Sequence, residues 1–228
     1  MKKTWVVLYS FFLVFALLGT SYALTLDSVS GVWNSASGGT SINGLNTNEI
    51  RWGRPHYGQT QQSGLLFEGN APPSLDFDID EAFSLGKLTH FNFPIFSGTG
   101  AESTTLGIEL TFSDPVYSGN FEFTFGIDET PNAPGPPESD DFIAFPEYYA
   151  KQTFEIGGDF YTLQLLGFGD SFDALIDEFR SPEGGSNSAQ LWGQITTPSN
   201  PVPEPGTIAL LGIGLVGLGI VRRKRVCK

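Results

Sequence analysis

LGIELTF (residues 106–112) and FEFTF (residues 121–125) place an apolar side chain at every second position, with Pro115, Gly119 and Asn120 between them. Successive side chains of a strand point to opposite faces, so this period of two predicts half-buried β-strands rather than helix. The same alternation recurs in TFEI (153–156) and FYTLQLL (160–166). Further strands are expected at 49–52, 65–68, 75–79, 142–145 and 190–196. Around ten short strands separated by Gly, Pro and Asn argue for an all-β fold, a single jelly-roll-like β-sandwich. Only residues 172–179 carry a pattern compatible with one or two helical turns.

Outward from this core the chain shows no repeat at a fixed period and no second domain. TPNAPGPPESD (130–140) carries four prolines, which exclude a central strand and predict a long loop. Residues 197–205 are polar and proline-containing, as a linker is. One body, 24–196, is therefore expected, long enough to bury its own core.

The two flanks differ from the body in kind. Lys2 and Lys3 precede an almost wholly apolar run, 5–18, and Ser21-Tyr22-Ala23 puts small residues where signal peptidase reads them. A signal peptide, 1–23, cut after Ala23 is expected; a first membrane helix would need about 20 apolar residues. At the other flank, residues 206–221 hold no charge and are followed by Arg222, Arg223, Lys224 and Arg225. At a rise of about 1.5 Å per residue this segment spans ~24 Å as a helix, and snorkelling arginines extend its reach across a bilayer. The positive-inside rule then leaves 222–228 in the cytoplasm and the body outside. Pro203, Glu204 and Pro205 are held out of the helical region, so that this stretch is extended at the membrane surface.

Charge follows the same division. Residues 24–205 keep five bases (Arg51, Arg54, Lys87, Lys151, Arg180) against all 25 acids, a balance of −20. Such a body repels nucleic acid and anionic lipid. The sole cysteine, Cys227, lies beyond the basic cluster, so the exported body has no disulfide and depends on its core.

Taken in order, Pro-Glu-Pro, a Gly-rich apolar segment and an Arg-rich end, together with the signal peptide, resemble the PEP-CTERM sorting signal of Gram-negative bacteria, here residues 202–228. That resemblance implies an exosortase as partner, transient anchoring in the inner membrane with the body in the periplasm, and a final address at the cell surface or in an exopolysaccharide matrix, biofilm or floc. In the body, Trp33, NEIRWG (48–53), SGLLFEG (63–69), LGKLTHFNFPI (85–95), ETPN (129–132) and QLWGQI (190–195) resemble the THxN, or choice-of-anchor K, family, with Thr89, His90 and Asn92 supplying the motif. This second resemblance implies no catalytic activity.

Three groups of residues could carry chemistry. Asp76, Asp78 and Asp80 open like a calcium loop, but the sixth and twelfth positions are Glu81 and Lys87 where an EF-hand needs Gly and Glu. An exposed strand face is the simpler reading, with calcium at these residues or at Asp140 and Asp141 as the alternative. His56 and His90 have no metal-ligand spacing, so zinc is not expected; His90 and Asn92 are read as structural residues satisfying a turn. Neither a GxSxG elbow nor a nearby nucleophile supports a triad, while a glycosidase carboxylate pair is left open among 25 acids. Trp33, Trp52 and Trp192, with Tyr57, Tyr117, Tyr148, Tyr149 and Tyr161, either pack the core or form a platform for sugar rings. The reading favoured is an exported, non-enzymatic protein without cofactor, structural or adhesive, with a carbohydrate- or calcium-binding module as the alternative and a glycan-acting enzyme last.

Overall fold

A computed structural model describes residues 23–132, 137–146 and 151–197. The signal peptide before Ala23, Tyr148, Tyr149, the 203–205 motif, the 206–221 segment and the basic 222–228 end lie outside the described residues. Among those described, no helix is long and apolar enough to cross a membrane.

The described residues form twelve strands. They are β1 (Ala23–Gly38), β2 (Glu49–Trp52), β3 (Ser63–Gly69), β4 (Leu75–Asp78), β5 (Ala82–Asn92) and β6 (Ala101–Asp114). The remainder are β7 (Val116–Asp128), β8 (Asp141–Ala144), β9 (Lys151–Ile156), β10 (Asp159–Phe168), β11 (Glu178–Ser181) and β12 (Gly185–Thr196). Every stretch with the expected alternation lies within a strand, and β6 and β7 run two to five residues beyond it at either end.

Two six-stranded antiparallel sheets result, in the orders β11-β8-β7-β6-β1-β4 and β2-β3-β5-β12-β10-β9. The fold is all-β as expected, with six strands in each sheet rather than the four of a simple jelly roll. Inward residues of both sheets merge into one apolar core: Leu106, Ile108, Leu110, Phe121, Phe123 and Phe125 from the first, Leu65, Phe67, Leu85, Leu163, Leu191 and Ile195 from the second. Phe67 reaches across to Gly31 of β1, where an added Cβ would lie only 2.4 Å from the ring. The absent side chain is thus what lets the two sheets close at that point.

β1 and β5 are the long strands that alternation did not reveal. β1 buries Leu24, Leu26, Val29 and Trp33, but its register shifts near Leu26 and beyond Trp33, and Ser30, Val32 and Asn34 lie on its outer face. In β5 the inward phase changes from Phe83 and Leu85 to Leu88, His90 and Asn92, because Leu85 is skipped in the pairing with β12. A bulge of this kind breaks a period of two by one residue. The expected helical turns at 172–179 shrink to one 3-10 turn, Phe172–Ala174, and the chain then extends as β11, placing Phe179 in the core.

Candidate functional site

The bulge in β5 has a direct effect on chemistry, since it turns His90 and Asn92 to the interior. His90 is 0% exposed and lies in a strand, not in the turn expected for it. Trp52 of β2 stacks on its ring, with centroids 6.2 Å apart and planes at 20°. Facing it across the core, the other sheet contributes Glu129, the residue after β7, and Asp141, the first residue of β8. One ligating atom from each of His90, Glu129 and Asp141 comes within 4.8 Å of the other two.

Both carboxylates are held from behind. The Trp52 indole N–H donates to Glu129 Oε1. Asp141 Oδ1 accepts the Thr130 backbone N–H at 2.8 Å and the Thr130 hydroxyl at 3.3 Å. Asn92 donates to the Ser181 carbonyl of β11 at 2.8 Å, a second tie between the sheets beside the first. Among the described residues, neither ring nitrogen of His90 has a hydrogen-bond partner, nor does Asp141 Oδ2. Buried polar atoms are nearly always paired, so these three orphans, with one His90 nitrogen in the cluster, call for an explanation.

Burial also governs the protonation of the group. Loss of solvent, helped by the nearby Arg51 charge, lowers the His90 pKa to about 3. Loss of solvent raises Glu129 to about 7 and Asp141 to about 8, with the charge of Glu129 adding to the rise at Asp141 and that of Glu183 adding to both. The hydrogen bonds from Trp52 and Thr130 oppose this rise but do not cancel it. Near neutrality the cluster is therefore a neutral imidazole facing two carboxyls that hold their protons with unusual strength.

Comparison with known proteins bears on the other end of the chain. No curated protein matches it. Residues 201–225 match the PEP-CTERM protein-sorting motif. The PEP-CTERM match contains Pro203, Glu204 and Pro205 and the basic Arg222, Arg223, Lys224 and Arg225, beginning one residue before the span expected from the sequence and ending three residues before its end. A PEP-CTERM motif implies an exported, secreted protein processed by an exosortase.

In the body that this PEP-CTERM segment follows, the structure redistributes the expected site residues. Trp33 and Trp52 are both 0% exposed, so neither can offer a ring face to a sugar; core packing accounts for them. Trp192 is half-buried, its indole N–H donating to the Gly169 carbonyl. Tyr161 is buried and Tyr117 partly so, whereas Tyr57 is 82% exposed against Phe96 and His56. Asp76 and Asp78 occupy the outer face of β4, Thr25 donating to Asp76, and Asp80 enters a turn with positive φ. These three aspartates form no ligating group among the described residues. Asp140 is buried and paired with Arg180 at 3.6 Å, and only its neighbour Asp141 joins the cluster. Thr89 meets Ser188 on the opposite face of β5 from His90, so the Thr-His-x-Asn motif divides its residues between two faces. Sequence reasoning had Glu129 only as part of a family pattern; its position just before Thr-Pro, at the end of a strand, was the available signal.

Proposed function

We propose that the chain is an exosortase-sorted structural or adhesive component of the cell surface or of an exopolysaccharide matrix, with a body of THxN, choice-of-anchor K type. The observation that carries this reading is the PEP-CTERM motif at 201–225, attached to an acidic, all-β body. Supporting it, the body's one convergent group of ligating side chains among the described residues sits between the sheets, an arrangement suited to holding a scaffold together. In this reading the protein is not an enzyme, crosses the inner membrane with its apolar segment still attached, and is released or transferred when that segment is removed. Mass spectrometry of the protein recovered from the producer's matrix tests it. A C-terminus upstream of the basic cluster is expected; intact polypeptide dissolved in the cytosol would overturn the reading.

Carbohydrate binding is the second reading, favoured by a single surface feature. Tyr57 projects into solvent with its edge on Phe96, 4.9 Å between centroids, and Arg54 lies over the other ring at 5.1 Å. An exposed aromatic ring beside a cation is a suitable face for a sugar of an anionic polysaccharide.

A further inference from the structure

We propose that His90, Glu129 and Asp141 form a binding site for one divalent transition-metal ion of the zinc class, which fastens the two sheets to each other. The site is independent of the sorting motif and stands whether or not the chain reaches a matrix.

Geometry carries the argument. Ligand atoms around a common tetrahedral ion with bonds of roughly 2.0–2.2 Å lie about 3.3–3.6 Å apart. The three here are within 4.8 Å of one another, so about an ångström of side-chain adjustment gathers them. His90 is fully buried with both nitrogens unpartnered among the described residues, and one of them would ligate. Asp141 Oδ2 is likewise unpartnered, while its Oδ1 is fixed by Thr130. The bond from Trp52 to Glu129 and the stacking of Trp52 on His90 orient two ligands with one side chain. Donors placed behind metal-binding carboxylates do this in established metal centres.

Charge points the same way. Glu129 and Asp141 face each other with Glu183 close enough to act on both, and the nearby cations are engaged elsewhere, Arg180 with Asp140 and Arg51 with Glu49. Two carboxylates cannot stay ionised together in the interior without a counter-charge, and a dication supplies it. The donor set selects the kind of ion. Calcium takes six to eight oxygens, whereas one imidazole with two carboxylates suits zinc and its neighbours in the first transition row.

The consequence is a cross-link. His90 belongs to the sheet of β2, β3 and β5, whereas Glu129 and Asp141 belong to the connection and strand of the other, so the ion joins positions that no backbone hydrogen bond links. In a body whose residues include no cysteine, it occupies the place a disulfide holds in many exported domains.

The test uses the full chain as the cell processes it, stripped with a chelator and dialysed against zinc in the presence of excess calcium. One zinc per chain is expected by elemental analysis, with the melting temperature raised roughly 5–10 °C at about a hundredfold excess over Kd. Asp141→Asn and His90→Gln should each weaken zinc binding by at least about tenfold, whereas His56→Gln, at the other histidine, leaves it unchanged. Should the site variants fail to fold, cobalt in the unaltered chain decides: its visible spectrum should show low-symmetry coordination, and its paramagnetism should shift imidazole protons of a single buried histidine. Substoichiometric zinc, retention of calcium alone, or shifts confined to the exposed histidine would overturn the proposal.

Discussion

His90, Glu129 and Asp141 show how a single residue's environment sets its proton affinity, and the sign of the result is testable in chelated protein. Both carboxyls have folded pKa values, about 7 and about 8, above their ordinary 4.5 and 3.8. Between those limits the folded chain binds more protons than the unfolded one, so stability falls as pH rises. His90, lowered from 6.5 to about 3, acts in reverse: below 6.5 the unfolded chain takes up the proton. Two carboxyls outweigh one imidazole where the windows overlap, and above 6.5 they act alone. Urea midpoints measured in chelator should therefore fall from pH 6 to pH 8; a rise across that range would show that the carboxyls are ionised in the folded state. At the surface, Tyr57→Ala should weaken retention on the producer's polysaccharide without moving the melting temperature, since Tyr57 is 82% exposed. Unchanged retention would remove the sugar-binding reading.

Among the elements, β5 carries the most consequence. It lies between β3 and β12 and presents His90 and Asn92 to the opposite sheet. Asn92→Ala should cost about 1–3 kcal/mol, because it leaves the Ser181 carbonyl without its buried donor. Equilibrium denaturation would measure it, and a change within error would mean that water replaces the amide. The same strand shows how far the sequence could be read. Regular alternation made β6, β7, β9 and β10 legible, since each inward residue there is apolar and each outward one mostly polar. β5 was not legible as a strand because its bulge switches the phase at Leu85 and because two of its inward positions are His and Asn. Of the site, Asp141 was named for another ion and His90 for another role. Glu129 could not be joined to them, since 39 positions separate it from His90 along the chain and only the packing of two sheets brings them together.

For the molecule as a whole, body and sorting segment obey different physics and should be separable by mutation. Replacing Pro203, Glu204 and Pro205 together with alanine should leave the folding of 24–196 unaffected while the chain accumulates uncut in membranes, as judged by its mass and by fractionation. Normal release of the altered chain would mean that another feature of 201–225 is recognised. The strands at the sheet margins bear on what happens after release. Three of the four margins, β2, β4 and β11, are only four residues long, and β4 points Asp76 and Asp78 outward. Short margins, that of β4 negatively charged, give a neighbouring copy little backbone to zip onto. In the matrix role proposed above, copies crowded at high local density would thereby be kept from converting into amyloid-like fibres, and their cohesion would pass through side chains, sugars or ions.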